Sequence, residues 1–370
     1  MRILYVTTIS LTMNSFFIPH VKMLVQAGNQ VDIACNDKDL PLDPLYSELG
    51  CRFYRIDFSR SPVSMDHIKA YGQLKKVLEN GNYAIVHCHT PTASAVTRLA
   101  CRQLRKKGSL KVFYTAHGFH FYQGAPLLNW LLFYPIEKLC SFYTDKLITI
   151  NQEDYRLALR SFKAKEVHLV PGVGIDLSKF ENVQVDRRMK RREMGVPADA
   201  FLLLSVGELN DNKNHSLVIR ALARLQQPSI HYAIAGVGEK KADLLELAKK
   251  LGVSEQVHLL GYRNDIPMLN HSADLFCFPS IREGLPVSLI EALACGLPAV
   301  AAKNRGACEI IAENENGFLC GHEDVEAFAA RIDQLKQDDS LYSRMAKHAA
   351  ASVKRCNVVS IVDMMKNIYS

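Results

Sequence analysis

Residues 274–303, DLFCFPSIREGLPVSLIEALACGLPAVAAK, read as a strand, a loop, a helix and a second strand. The runs LFCF and AVAA are short and continuously apolar, and VSLIEALA between them has helical spacing. Strands that are apolar throughout and joined through a helix belong to a parallel sheet covered on both faces. The unit carries two carboxylates. Glu283 is on the loop before the helix, and Glu291 is about two turns along it at about 3.6 residues per turn. A helix N-terminus favours anions, so phosphate fits there while carboxylates grip neighbouring hydroxyls. A sugar nucleotide carries both kinds of group.

Working outward, the same alternation fills the chain. RILYVTT, VDIAC, CRFYRID, AIVHCH, KVFYTAH, KLITI and VHLVP are strand candidates in the N-terminal half. FLLLSVG, HYAIAG, VHLLG, DLFCFPS, PAVAAK and GFLC are those in the C-terminal half. Helical stretches such as FFIPHVKMLVQAG and HIKAYGQLKKVLEN fill the intervals. Two such series predict an α/β protein of two doubly wound, Rossmann-like domains. The polar stretch 174–200 separates them. The expected domains are 1–178 and 179–354, with a last helix at about 355–370 returning to the first. Ligands of doubly wound sheets lie outside the C-terminal strand ends, so the expected site is a cleft between facing domains.

A chain of 370 residues with 48% hydrophobic residues has material for two cores. Its longest apolar runs, such as LLNWLLFYPIE, fall short of the roughly 20 residues that span a bilayer. Met1-Arg2 leads directly into a strand, so no signal peptide is expected. Ten cysteines without a CxxC pair point to reduced thiols in a cytosolic protein. His87 and His89 share a strand face but lack further ligands, so no metal site is expected.

Charge is uneven. Residues 1–180 carry 22 Lys and Arg against 14 Asp and Glu, while the whole chain has a net charge of +7. The excess concentrates in RLACRQLRKKGSLK, residues 98–111. Nucleic acid, an anionic membrane surface or simple solvation of a helix end would each account for it.

Several motifs lie at predicted strand ends. In FLLLSVGELNDNKNHSLVIRAL, Gly207 closes a strand and Lys213 lies at a helix start, beside Glu208 and Asn212. A lysine there opposes the helix dipole unless an anion lies between, which favours a diphosphate; the alternative is a surface lysine. Gly236 and Gly238 follow a strand, where a tight turn explains them as well as a ligand does. Tyr262 and Arg263 lie where a base could rest. His117 ends the strand KVFYTA and is a candidate for substrate contact, with Tyr122, Trp130, Phe133 and Tyr134 following among leucines. That apolar aromatic segment reads either as a core helix or as a surface that receives a lipid.

Together these residues resemble the retaining family 4 glycosyltransferases of GT-B fold, bacterial capsule and exopolysaccharide enzymes in particular. The most specific part is the pair of glutamates with seven residues between them in the phrase ending EALACGLPAVAA, followed by RGACEIIAENENGFLC. SVGELNDNKNH, IAGVGE, LLGYRNDIP and ADLFCFPS add to it. The resemblance implies that Glu283 holds donor-sugar hydroxyls and that the backbone of Gly284, Leu285, Pro286 and Val287 lies against sugar and phosphate. It further implies that Glu291 binds ribose, Lys213 neutralises the leaving diphosphate, and Tyr262 and Arg263 bracket the base. Gly207, Glu208, Asn212, Gly236 and Arg282 line the same donor site. His117 orders the reacting centre, and Asn14, Ser15, His89 and Tyr122 lie on the acceptor side. The resemblance also implies that configuration is retained, by a front-face mechanism, without a cofactor or divalent metal. Two departures stand out. Glu208 occupies a position where many members have arginine, so Arg263 or Arg282 is expected to supply that charge. SLTMNSFF replaces a Gly-Gly loop, so Asn14 is expected to contact substrate through its side chain.

The expected activity is transfer from a nucleotide sugar, a UDP-sugar such as that of an N-acetylhexosamine, to a polyprenyl-diphosphate-linked saccharide. It would take place at the inner face of the plasma membrane, with residues 98–111 and 119–134 on the bilayer, other polysaccharide-synthesis proteins nearby, and no nucleic acid bound. A UDP-sugar 2-epimerase of the same fold and a non-catalytic partner of another transferase are the alternatives. A dinucleotide-binding dehydrogenase is disfavoured, because no Gly-x-Gly-x-x-Gly follows the first strand.

Overall fold

The computed structural model describes residues 1–181 and 183–370. They divide into two units, residues Met1–Gly174 with Val358–Ser370, and residues Ile175–Asn357.

The first unit is built on seven parallel strands: β1 (Arg2–Ile9), β2 (Gln30–Asn36), β3 (Phe53–Arg55), β4 (Ile85–His89), β5 (Lys111–Ala116), β6 (Lys146–Thr149) and β7 (Glu166–Leu169). Their order is β3-β2-β1-β4-β5-β6-β7. Alternation along β1 sends Leu4 and Val6 into one core and Ile3 and Tyr5 into another on the opposite face. Burial on both faces is why these strands read as unbroken apolar runs. CRFYRID contributes only Phe53–Arg55, because β3 is an edge strand and its Phe53 and Arg55 face water. The helix Val358–Tyr369 adds Ile361, Met365, Ile368 and Tyr369 to the core around Ile3 and Tyr5. Lys146 Nζ donates to the carbonyl of Ile368 at 2.7 Å.

The second unit has six parallel strands: β8 (Phe201–Val206), β9 (Ile230–Ala235), β10 (Val257–Gly261), β11 (Leu275–Phe278), β12 (Ala299–Ala302) and β13 (Gly317–Cys320). Their order is β10-β9-β8-β11-β12-β13. Again two cores cover the two faces, Leu202 and Leu204 entering one and Leu203 the other. In both sheets the chain reverses direction beside the first strand, between β1 and β4 and between β8 and β11. Loops leaving the carboxyl ends of such strand pairs diverge and leave a crevice for ligands.

The basic stretch 98–111 is less of a surface feature than its composition suggests. Arg98 is buried, 2.8 Å from Glu137, with its guanidinium over the Tyr114 ring. Arg105 pairs with Asp145 at 2.8 Å and donates to the carbonyls of Phe142 and Thr144. Of its six cations, only Arg102, Lys106, Lys107 and Lys111 are exposed to solvent. Four cations, and not all six, are left to meet an anionic surface. The helix Leu127–Ser141 shows a different surface. It buries Glu137, Cys140 and Ser141, yet leaves Leu127, Leu128, Leu131, Leu132, Ile136 and Leu139 exposed. Among the described residues, no helix is long and apolar enough to cross a membrane.

Candidate active site

In the second unit the crevice-forming loops carry the charged residues. The loop after β8 holds Gly207 to Asn214, and the loop after β11 holds Ser280 to Pro286. They are stitched together by Ile281 N donating to the Asn212 carbonyl at 2.8 Å and Asn212 Nδ2 donating to the Arg282 carbonyl at 3.1 Å. Asn212 therefore acts through both its backbone and its side chain as a loop connector. Lys213 is aimed by its own N–H donating to Asn210 Oδ1 at 2.9 Å. Its Nζ lies 2.7 Å from Glu283 Oε1 and 5.8 Å from the Phe278 ring centroid. Both side chains remain partly exposed, at 22% and 17%, so the pair is reachable from solvent.

Glu283 sits just before the helix Val287–Ala294, with Gly284, Leu285 and Pro286 forming the entry to it. Glu291 lies on that helix. Burial without a nearby cation pushes its carboxyl up to about 7. Behind the loop, the helix Arg305–Ile310 is capped by Asn304, whose Oδ1 accepts from Ala307 N at 2.9 Å while its Nδ2 donates to the Ser280 carbonyl at 2.7 Å. A Cβ on Gly306 would come within 3.1 Å of Glu283 Cβ and Pro286 Cδ. Asn304 and Gly306 thus hold the Glu283 loop in place. The sequence reading assigned neither a role, although an asparagine three residues before a helical N–H is an N-cap signal.

Other candidates fall differently. Gly236 is where it is because a Cβ there would overlap the Gly207 carbonyl oxygen, and Gly238 is hemmed in by Leu209 in the same way. Close backbone approach explains both glycines. Glu208 is exposed and accepts from Asn210 Nδ2 at 3.0 Å. Tyr262 is 80% exposed. Arg263 is bound by Asp265, with Nε to Oδ1 at 2.7 Å, and by Glu193, and Lys190 Nζ reaches Asp265 at 3.0 Å. This clamp holds the Asp265 carboxyl well below its ordinary range, the Arg263 bond being the main cause. Arg263 is therefore a committed structural cation. Arg282 is exposed, with no ion pair among the described residues, so its charge is not committed to another side chain.

In the first unit, His89 ends β4 and His117 follows β5, and parallel pairing of these strands brings the rings together. His89 Nδ1 and His117 Nε2 are 3.3 Å apart. The His87 ring lies against that of His89, tilted by 36° with centroids 4.1 Å apart. Both ring nitrogens of His87 are engaged, by Thr115 Oγ1 at 2.8 Å and by the Tyr369 hydroxyl, which in turn reaches the Tyr5 hydroxyl at 2.8 Å. Burial pushes His117 down to about 4 and holds His87 and His89 well below their ordinary value. His117 is therefore a neutral imidazole near pH 7, fit to exchange a hydrogen bond rather than to supply a charge. The buried Nε2 of His89 has no hydrogen-bond partner among the described residues.

Asn14 is occupied at both ends of its amide. Nδ2 donates to the Pro41 carbonyl at 3.0 Å, and Oδ1 accepts from Asp43 N at 2.9 Å. The side chain staples two loops, so the expected substrate contact is replaced by a structural one. Ser15 is exposed on the helix Ser10–Phe16, and Tyr122 is half-buried after β5.

Two parallel-sheet Rossmann-like units of this topology are the fold of the GT-B glycosyltransferases. The structure superposes with a TM-score of 0.81 on the Anabaena protein Alr3699/HepE in complex with UDP and glucose, at 19% identity over 100% of this chain and 99% of that one. It superposes with a TM-score of 0.75 on WaaG, described as a glycosyltransferase involved in lipopolysaccharide biosynthesis, at 18% identity over 99% of each chain. Residues 2–151 match the family Glycosyl transferase 4-like, and residues 186–352 match Glycosyl transferases group 1. The chain belongs to this glycosyltransferase family. It is 39% identical to "Putative glycosyltransferase EpsD" of Bacillus subtilis, over 100% of this chain and 96% of that protein. It is 26% identical to the UDP-Gal:alpha-D-GlcNAc-diphosphoundecaprenol alpha-1,3-galactosyltransferase of Escherichia coli, over 92% of this chain and 88% of that one.

Proposed function

We propose that this glycosyltransferase moves a sugar, with retention of configuration, from a UDP-sugar such as a UDP-N-acetylhexosamine to a saccharide carried on polyprenyl diphosphate, in the assembly of a cell-surface polysaccharide. The observation that carries the reading is the Lys213–Glu283 pair at 2.7 Å, held over the start of the helix that bears Glu291. A cation, a carboxylate and a protonatable carboxyl in that order suit a diphosphate, a sugar and a ribose. The lipid-linked acceptor is supported by the E. coli relative, whose acceptor is a diphosphoundecaprenol saccharide.

In this reading the bond from the anomeric carbon to the diphosphate oxygen breaks while an acceptor hydroxyl attacks from the same face. The departing diphosphate takes the acceptor's proton. Lys213, assisted by Arg282, stabilises the negative charge that gathers on it, a role in which one preorganised donor is worth roughly 10²–10³-fold in rate. Glu283 orients the donor sugar, Glu291 the ribose, and neutral His117 orders the reacting groups. The positive charge that neutralises the leaving group comes from the protein, and in this reading no divalent metal takes part. The protein would act as a peripheral enzyme at the inner face of the plasma membrane.

The test is UDP release from candidate UDP-sugars with and without a lipid-linked acceptor, in the presence of EDTA. Acceptor-dependent release unaffected by EDTA is expected. Release without acceptor, or loss of release with the chelator, would overturn the reading.

A further inference from the structure

His89 and His117 share one hydrogen between facing nitrogens, Nδ1 of the first and Nε2 of the second, 3.3 Å apart. His89 is 1% exposed, so it meets no substrate itself. Its ring is gripped by three others: Phe17 with centroids 4.2 Å apart, His87 at 4.1 Å, and Tyr5, stacked at 5.3 Å. A side chain so packed has one orientation to offer. The next residue, Thr90, has φ of 66° and ψ of 142°, a conformation that a β-branched residue holds only where its surroundings impose it. Thr8 imposes it, its N–H donating to Thr90 Oγ1 at 3.1 Å and its hydroxyl lying 2.7 Å from the same atom, while Thr90 Oγ1 donates to the His89 carbonyl. The end of β4 is thereby fixed in both backbone and ring.

Burial keeps both rings uncharged near pH 7, so each carries a single N–H. If His117 Nε2–H were the donor of the shared hydrogen, His89 would carry its own on Nε2. That nitrogen is buried and has no hydrogen-bond partner among the described residues. His87 beside it has no nitrogen to spare, because the Tyr369 hydroxyl and Thr115 Oγ1 engage both. If His89 Nδ1–H is the donor, Nε2 of His89 is a bare lone pair and no buried N–H is orphaned. Among backbone groups, a buried N–H without an acceptor is rarer than an under-satisfied acceptor, and the same preference applied to a buried imidazole selects donation by His89. His117 Nε2 is then an acceptor, and the hydrogen of His117 is on Nδ1. That nitrogen has no hydrogen-bond partner among the described residues, and His117, unlike His89, is partly exposed.

We propose that His89 is a positioning residue for His117: by donating from Nδ1 it holds the His117 ring in the Nδ1–H tautomer, so that His117 meets its ligand as a hydrogen-bond donor. The ligand atom this suits is an acceptor, such as a hydroxyl oxygen of the bound sugar. Fixing the tautomer of a working imidazole through its far nitrogen is how a buried partner acts on the histidine of a hydrolase triad. The proposal rests on the reading above that His117 orders the reacting groups, and adds what holds that ring and which polarity it presents.

The experiment labels the histidine rings of the full chain with heavy nitrogen and reads the ring-nitrogen shifts by NMR near neutral pH, with His117→Gln assigning the His117 signals. The wild type is expected to show His117 protonated at Nδ1 and bare at Nε2. His89→Leu keeps the bulk, removes the donor and is expected to give a mixture of the two tautomers. His89→Asn places an amide N–H where the imidazole Nδ1 stood and is expected to restore the Nδ1–H form. In turnover of the UDP-sugar found by the release assay, His89→Leu should lower kcat at least about ten-fold with KM little changed, and His89→Asn should recover most of the loss. A wild-type His117 protonated at Nε2 would overturn the proposal. So would an Nδ1–H form that persists in His89→Leu, or a His89→Leu protein that loses that form and keeps its kcat. If the leucine variant does not fold, the wild type and His89→Asn decide, and loss of the Nδ1–H form in a folded asparagine protein overturns the proposal as well. The tautomer is read without substrate, so the two failures are distinct: full turnover by His117→Gln would overturn the underlying reading of His117 while the tautomer result stood.

Discussion

Lys213 Nζ and Glu283 Oε1 meet at 2.7 Å although 70 residues separate them in the chain. Each is brought to the meeting point by a loop leaving one of two neighbouring strands, β8 and β11. Such a pair in partly exposed surroundings contributes little to stability, typically about 0–1 kcal/mol. Its placement at the reversal point of the sheet suits work on a ligand. Lys213→Ala is expected to lower turnover by roughly 10²–10³-fold with a melting temperature close to that of the wild type. Glu283→Ala should abolish transfer and leave the fold intact. Steady-state rates with thermal melting check both, and unchanged turnover in either would remove the site assignment.

Glu291 predicts a proton-linked effect. Its folded value of about 7 lies above its ordinary 4.5, so the folded state holds the proton more tightly than the unfolded chain. Its contribution is full below pH 4.5 and is lost as pH rises through 7, by roughly 3–3.5 kcal/mol in all. Buried His117 acts with the opposite sign. Its folded value of about 4 lies below the ordinary 6.5, so stability falls as pH drops through that window. Glu291→Gln should remove only the first trend, measured by denaturant titration at a series of pH values. If Glu291 accepts from ribose hydroxyls as a carboxylate, UDP binding near pH 6.5 should release a proton. Calorimetry in buffers of different ionisation heat would show this, and an identical proton count in Glu291→Gln would disprove it.

The buried Arg98–Glu137 pair predicts a stability effect. Removing one partner leaves an uncompensated charge inside the first unit, at a cost of about 3–5 kcal/mol. Arg98→Met and Glu137→Leu should each show that loss in urea denaturation, and the double substitution should recover most of it. Additive losses would mean that the pair does not act as a unit.

Gly236→Ala is expected to destabilise the second unit by at least about 1–3 kcal/mol, because the added Cβ would overlap the Gly207 carbonyl oxygen. A protein that keeps its stability but loses only UDP affinity would restore Gly236 to the ligand-binding set.

Membrane association, if it occurs, should depend on fewer charges than composition suggests. Arg102, Lys106, Lys107 and Lys111 are the exposed cations of the basic stretch, each worth about 1 kcal/mol near an anionic surface. Replacing Lys106 and Lys107 with Gln should reduce sedimentation with anionic vesicles at low salt by more than ten-fold. Equal partition onto neutral and anionic vesicles would remove the electrostatic contribution altogether.

The parallel sheets were legible because their strands are buried on both faces and read as short apolar runs bounded by glycine and polar residues. β3 was overread for the converse reason: an edge strand ends where pairing ends, which one chain's apolar pattern does not mark. The Glu283 and Glu291 spacing was legible because it is local. The partners that decide what other residues do were not, because they are remote. Arg98 looked like a surface charge until Glu137, 39 residues on, was seen beside it. Arg263 looked available until Glu193, 70 residues earlier, was found on its guanidinium. Asn14 looked like a substrate contact until Pro41 and Asp43 were found on its amide.

The return of residues 358–369 to the first unit sets an order of events during synthesis. Tyr369 lies in the wall of that unit's interior, in contact with His87 and Tyr5, and Ile361 and Met365 fill the same region. These residues leave the ribosome only after the whole of 175–357 has been made. The second unit, continuous in the chain, is free to fold as soon as it emerges. The first, begun earlier, must wait with an open seam until translation has passed its neighbour, and the histidine cluster is the last part of the molecule to be sealed.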